Sequence, residues 1–297
     1  MSSLTDLHVA RLLTPICNGG AARAGGGGAA SAALSKLNDQ NKLKMKNRIA
    51  LITGASSGIG KATAHTFAAA GIDLILCGRR QDRLDELAAE LGQKVRTTTL
   101  QFDVRERAAV AEAIESLPEN WQAIDVLVNN AGNAHGLSAF QDGNLDDWDA
   151  MIDGNVQGLL YISKAVVSGM VARQRGHIVN LSSIAGKQTY ANGAVYCASK
   201  KAVEAISEGM RLDLTQHGIK ITNIAPGAVE TEFSVVRFKG DEARAAKVYE
   251  GFEPLRPEDI ADTILYAVNA PSHVTIADLT ILAVAQAAAA TIQRKPL

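Results

Sequence analysis

An apolar run, Ile49-Ala-Leu-Ile52, leads straight into Thr53-Gly-Ala-Ser-Ser-Gly-Ile-Gly60, and no other stretch constrains the fold as much. After it comes Lys61-Ala-Thr-Ala-His-Thr-Phe-Ala-Ala-Ala70, with Gly71 behind. The apolar run predicts a buried strand, and the alanine-rich segment a helix closed by Gly71. A strand, a glycine turn and a helix form the first half of a dinucleotide site. Gly54 permits the tight turn. Gly58 has no Cβ, so a pyrophosphate can approach the backbone there. Gly60 lets the helix pack against the strand. Ser56, Ser57 and Ile59 complete the loop, and the helix N-terminus turns free N–H groups toward the phosphates.

Strand and helix patterns alternate from there to the end. Strands are predicted at 72–77, 97–102, 125–129, 177–181, 220–224 and 279–284. Helices are predicted at 83–91, 108–117, 148–171, 195–216 and 257–268. Leu84, Leu87, Ala88 and Leu91 share one helix face, and Pro257 stands where a helix begins. Regular alternation predicts an α/β fold: a single Rossmann-like, doubly wound parallel sheet of about seven strands, with helices on both faces. No linker or repeat interrupts 45–297, which reads as one catalytic domain.

Residues 1 to about 44 have a different character. Gly25–Gly28 and Ala29–Ala33 are low in complexity and are expected not to pack. Asp6 and Asp39 are the only acids there, and Arg11 and Arg23 sit among Ala, Ser and Leu. The segment reads as a disordered tail, as a loose likeness of an organelle transit peptide, or as sequence upstream of a start at Met45.

A net charge of −1 gives no reason to expect nucleic acid or an anionic membrane as partner. No apolar run approaches the roughly 18 residues of a membrane helix. Cys17, Cys77 and Cys197 are odd in number and widely spaced, which suggests neither a disulfide framework nor a zinc site, and no metal is expected. A reducing compartment, the cytoplasm, fits best.

After the second strand stands Gly78-Arg79-Arg80. An acid about 20 residues past the glycine loop would hold the ribose 2′-hydroxyl of NAD. Arginine suits a 2′-phosphate instead, so Arg79 and Arg80 favour NADP. The other reading is a solvated basic pair at a helix start. Asp103, followed by Val104, either accepts from the adenine amino group or caps the next helix. Asn129-Asn130-Ala131-Gly132 ends the fourth strand, facing the ligand crevice, bracing the sheet, or both.

Tyr196 and Lys200 fall on one face of a predicted helix. A phenol titrates at about 10 and is a poor base at neutral pH, but a neighbouring ammonium favours the phenolate. Lowering that pKa by about 3 units takes roughly 4 kcal/mol, which a partly buried lysine and a nicotinamide cation together can supply. Ser182-Ser183 ends the fifth strand at the same crevice, where a serine hydroxyl can bond a substrate oxygen. Asn155, in the preceding helix, can hold a water behind Lys200.

The glycine loop, Asn129–Gly132, Asn155, Ser183, Tyr196 with Lys200, and Pro226-Gly227 together strongly resemble the short-chain dehydrogenase/reductase family across nearly all of 45–297. The resemblance implies hydride transfer between nicotinamide C4 and a carbon bearing oxygen. By it, Tyr196 is the acid/base and Ser183 orients the substrate. Lys200 holds the ribose and tunes Tyr196, Asn155 supports the proton relay, and Pro226, Gly227, Val229 and Thr231 wrap the nicotinamide end.

Cys77–Arg80, Ala194–Lys200 and Ala225–Gly240 further resemble the branch of NADP-dependent 3-hydroxy acid dehydrogenases. That resemblance implies oxidation of serine, allo-threonine and related 3-hydroxy acids, reduction of 3-oxo acids such as malonic semialdehyde, and a homotetramer. Ala55-Ser-Ser57 and the N-terminal extension depart from the bacterial pattern of that branch. Residues 285–290 read as a C-terminal arm at a subunit interface. An acid substrate needs a cation, because a buried unpaired carboxylate is prohibitively costly. Arg237 follows the Pro-Gly turn and matches a carboxylate with its planar fork. It can instead pair with Glu232 or Asp241, or serve a subunit contact. The alternatives in function are a reductase of an uncharged ketone, steroid or sugar, and a non-catalytic NADP sensor.

Overall fold

The computed structural model describes residues 48–295. The extension read at 1–44 lies outside the described residues. The first strand, β1 (Ile49–Thr53), is buried at every position, as a run without polar alternation must be in a sheet covered on both faces. It is followed by α1 (Gly58–Ala69), β2 (Asp73–Gly78), α2 (Gln81–Leu91), β3 (Thr97–Gln101), α3 (Arg107–Glu115) and β4 (Val126–Asn129). Leu84, Leu87 and Leu91 are the buried face of α2, as their spacing predicts.

The next helical stretch is interrupted. The sequence predicts one helix over 148–171, but α4 (Leu145–Ile152) and α5 (Gly158–Ala172) are joined by a π turn at Asp153–Gln157. Apolar periodicity survives such an insertion, so the break is invisible in the pattern. After it come β5 (Gly176–Leu181), the short α6 (Ile184–Lys187), α7 (Ala194–Leu214) and β6 (Ile219–Pro226). Gly218 closes the α7 region in the left-handed conformation, φ +68. Two short helices unread in the sequence, α8 (Phe233–Arg237) and α9 (Glu242–Lys247), precede α10 (Pro257–Asn269) and β7 (Asp278–Ile281). Residues 285–290 do not trail away as an arm. They belong to an antiparallel hairpin of β8 (Gln286–Ala288) and β9 (Thr291–Ile292).

The seven strands of the main sheet run in the order β3-β2-β1-β4-β5-β6-β7, with every neighbour pair parallel. Helices α3 and α5 cover one face, packing Val110, Ile162, Val166 and Met170 onto the strands. On the other side α1 packs against α10. Strand order reverses between β1 and β4, and ligands in such sheets bind outside the carboxyl ends at that point. Thr53 laces the reversal together. Its hydroxyl donates to the Val128 carbonyl at 3.3 Å and accepts from the N–H groups of Asn130 and Ala131 at 3.1 and 3.0 Å. The Asn130 amide donates back to the Thr53 carbonyl at 2.9 Å.

Candidate active site

A cleft of about 580 Å³ opens at the carboxyl ends of the strands. Among the residues singled out in the sequence, Gly54, Ser56, Ser57, Gly58, Ile59, Arg79, Arg80, Asp103, Val104, Asn130, Ala131, Gly132, Ser183, Tyr196, Lys200, Pro226, Gly227, Val229, Thr231 and Arg237 line it. Gly60 and Asn155 stand behind its wall.

Gly54 takes φ +66, which only a residue without a side chain adopts at low cost. A Cβ on Gly60 would overlap the Gly54 carbonyl and the Asn130 amide, so bare backbone is what closes the loop. Ser57, the N-cap of α1, makes no side-chain cap, and the first turn of the helix holds no acid. The N–H groups of that turn therefore face the cleft with an uncancelled positive dipole end.

Arg80 reaches into this loop. Its guanidinium donates to Ser57 Oγ at 2.8 Å and to Ser56 Oγ at 3.0 Å, and its other edge donates to Glu232 at 3.2 Å. Arg79 is mostly exposed and stands 3.7 Å from Asp103. The Asp103 carboxylate holds Arg105, accepting from Nη2 at 2.7 Å and from the backbone N–H at 3.0 Å. Partial burial raises the Asp103 carboxyl, and Arg105 overcomes this and holds it below the usual range. The N-cap of α3 is Glu106, so Asp103 does not cap that helix.

At the other end, Tyr196 and Lys200 sit in the first turns of α7, both buried. Lys200 Nζ donates to the Leu181 carbonyl at 2.9 Å, and burial pushes its pKa down to about 8. Burial raises the Tyr196 phenol well above its ordinary value, and Tyr190 adds to the rise. A hydrogen bond with Ser183 and the charge of Arg237 oppose it. Ser183 caps α6, accepting from Ala185 N–H at 3.1 Å, and donates to the Pro226 carbonyl at 3.4 Å.

Asn155 lies in the π turn. Its Oδ1 accepts from Asn133 N–H at 2.7 Å, and its Nδ2 donates to the Asn133 carbonyl at 2.9 Å and to Ser199 Oγ at 3.0 Å. A Cβ on Gly132 would stand 2.9 Å from Asn155 Oδ1 and 3.4 Å from Lys200 Nζ. The space beside Gly132 is thus bounded by these two side chains, and a larger residue would meet both.

Arg237, the last residue of α8, turns back across the cleft. It donates to Tyr190 Oη at 3.0 Å and to the Gly136 carbonyl at 3.3 Å. Its guanidinium carbon lies 5.4 Å from the centre of the Tyr196 ring and 5.8 Å from that of Tyr190. Glu232 goes to Arg80 and Arg83, and Asp241 accepts from Arg244 N–H at 2.9 Å. Among the described residues Arg237 has no acidic partner.

Residues 48–242 match the model of a family described as short chain dehydrogenase. The chain belongs to the short-chain dehydrogenase family. An NADP-dependent 3-hydroxy acid dehydrogenase of Salmonella typhi is 46% identical over 239 residues, 80% of this chain and 96% of the relative. A sulfoacetaldehyde reductase of Chromohalobacter salexigens is 45% identical over 240 residues, 80% of this chain and 95% of the relative. The closed form of a serine dehydrogenase complexed with NADP⁺ superposes with a TM-score of 0.78 at 43% identity, covering 84% of this chain and 100% of that one.

This short-chain dehydrogenase also uses residues that sequence reasoning missed. Tyr190 orients Arg237, but it sits in an irregular turn where no periodicity marks a facing side chain. Arg83 donates to Glu232 at 2.9 Å, a contact between segments 149 residues apart. Gln286 is buried, and its Oε1 accepts from Ala228 N–H at 2.8 Å. A Cβ on Gly227 would overlap that oxygen. The one available signal was a lone amide in an alanine run, at Ala285-Gln286-Ala287.

Cys77 and Cys197 are buried free thiols. Among the described residues no cluster could hold a metal ion, and no helix is long and apolar enough to cross a membrane.

Proposed function

We propose that this short-chain dehydrogenase transfers a hydride between NADP(H) and the 3-hydroxyl or 3-oxo carbon of a small 3-hydroxy acid. Serine, allo-threonine and the pair 3-hydroxypropionate and malonic semialdehyde are the expected substrates. The observation that carries the reading is Arg237: a guanidinium against the Tyr196 ring with no acid to neutralise it among the described residues. An uncharged ketone, steroid or sugar gives such a cation nothing to bind. A sensor has no use for Ser183, Tyr196 and Lys200 together.

The residues present fit the cofactor. Gly54 and Gly58 keep the loop bare, the α1 N-terminus offers N–H groups to the pyrophosphate, and Arg79 and Arg80 offer cations to the 2′-phosphate. Asp103 and Val104 would hold the adenine, and Asn130, Ala131 and Gly132 would hold the ribose. Lys200 would hold the second ribose, and Pro226, Gly227, Val229 and Thr231 would hold the nicotinamide end. When bound, NADP(H) supplies or accepts the hydride.

The chain supplies the proton. Tyr196 takes it from the substrate hydroxyl in oxidation and returns it in reduction. Ser183 bonds the same oxygen and keeps it within reach of the phenol. Asn155 fixes the Gly132–Asn133 turn beside Lys200, supporting the relay. Arg237 pairs with the substrate carboxylate, setting the distance from anion to reacting carbon. A sulfonate one carbon from an aldehyde places its charge similarly, which accords with the activity named for the Chromohalobacter relative. We place the enzyme in the cytoplasm as a homotetramer, with organelle import through 1–44 the alternative. Mass spectrometry of the native N-terminus decides between them.

Matched substrates test the reading. Arg237→Ala should raise KM for the free acid by roughly one to two orders of magnitude, equivalent to about 1.5–3 kcal/mol of lost charged bonding. The methyl ester of the same acid should be almost unaffected. An equal loss on acid and ester would mean that Arg237 serves the loop or an interface instead.

A further inference from the structure

The ion pairs that span the adenosine end of the cleft point to a second determinant of cofactor choice. We propose that Glu232 is a specificity-determining residue for the cofactor. Its carboxylate holds the Arg80 guanidinium that a 2′-phosphate would use, so the two anions compete for it. The inference rests on the reading of Arg80 as a 2′-phosphate ligand.

Glu232 lies in the segment after β6, far from the glycine loop in sequence. Its Oε1 accepts from Arg83 at 2.9 Å, and its Oε2 from Arg80 and Arg83, each at 3.2 Å. Partial burial raises its carboxyl, but the bonds from Arg83 and Arg80 prevail and hold it below the usual range. Arg80 spends its other edge on Ser56 and Ser57. One guanidinium therefore joins the phosphate-binding loop to an acid from the opposite wall. The neighbour of that acid stands just off the loop: a Cβ on Gly58, were there one, would lie 3.4 Å from the Thr231 side chain.

Two anions cannot share this site cheaply. A 2′-phosphate arriving at Arg80 brings like charge against Glu232, so the carboxylate must swing away. NADH has no phosphate there and leaves both ion pairs standing. Glu232 thus lowers the affinity for NADP(H) relative to what the arginines alone would give. It is also the N-cap position of α8, the helix that ends at Arg237.

Calorimetric titration of the full chain with NADPH and with NADH separates the possibilities, because the two ligands differ only in the phosphate. Glu232 is half exposed, so Glu232→Gln leaves the fold intact. That variant should bind NADPH roughly three- to tenfold more tightly, the scale of two exposed ion pairs, and NADH within about twofold of wild type. Arg80→Ala should weaken NADPH by more than about tenfold and spare NADH. If Arg80→Ala weakens NADPH but Glu232→Gln does not tighten it, the role of Glu232 is overturned. If Arg80→Ala leaves NADPH unchanged, Arg80 is not a phosphate ligand, and the inference falls with it. Equal tightening of both cofactors would mean that Glu232 restricts access to the cleft and not the phosphate.

Discussion

Burial raises the Tyr196 phenol above its ordinary value, so the lowering expected from Lys200 and a nicotinamide cation together would have to overcome it. Burial dominates, and the opposing hydrogen bond from Ser183 and charge of Arg237 do not cancel it. Lys200 is itself pushed down to about 8 by burial. The consequence for pH follows from which form each direction uses. Oxidation needs the phenolate as base, so its rate should climb with pH through the neutral and alkaline range. Reduction needs the protonated phenol, which the raised pKa preserves, so its rate should stay level until strongly alkaline pH. Paired pH–rate profiles check this, and an oxidation rate flat in pH would contradict it. Tyr196→Phe should abolish turnover in both directions and leave NADPH binding nearly intact, because the phenol acts in the transition state.

Among the elements, the π turn is the least foreseeable and among the most consequential. It rotates Asn155 inward so that a single amide satisfies both backbone groups of Asn133 and the Ser199 hydroxyl. If Asn155 is a brace in this way, Asn155→Ala leaves the half-buried N–H and carbonyl of Asn133 without that partner, at a cost of about 1–3 kcal/mol. Thermal melts of the ligand-free variant should then show a Tm lower by roughly 3–10 °C. An unchanged Tm would leave Asn155 only the role of holding water behind Lys200. The elements that were legible in sequence are those whose signal is local: the apolar strands, the α2 face, Gly218 at its helix end and Pro257 at its helix start. Asn155, Tyr190 and Gln286 were obscure for a shared reason. Each acts through a contact to a distant backbone group, and one chain carries no mark of which distant group that is. For Arg237 the sequence left several partners open, and the structure removes two of them, because Glu232 pairs with Arg80 and Arg83 and Asp241 accepts from Arg244 N–H.

At the scale of the whole molecule, the described body is closed at its own beginning. Asp125 accepts from the Ile49 N–H at 3.1 Å, and the Arg48 carbonyl accepts from the Asp73 N–H at 2.9 Å, so the start of β1 is tied to segments on both sides of it. If Met45 is the natural start, a chain beginning there should keep the Tm and turnover of the full chain. A large loss of either would give residues 1–44 a part in the catalytic body. The two ends of the cleft are built from different chemistry, arginines with a bare glycine loop at one and a tyrosine, a serine and a stacked guanidinium at the other. Together they match the proposed definition of the ligands, a small anionic substrate beside a phosphorylated dinucleotide. Absorbance at 340 nm tests that definition most directly, with the wild-type chain, NADP⁺ or NAD⁺, and a panel of serine, allo-threonine, 3-hydroxypropionate, 2-hydroxyethanesulfonate and uncharged alcohols of matched size. The account predicts steady turnover with NADP⁺ on the anionic substrates, and kcat/KM lower with NAD⁺ and lower again on the uncharged alcohols. Turnover that is as efficient on the uncharged alcohols, or with NAD⁺, would contradict it.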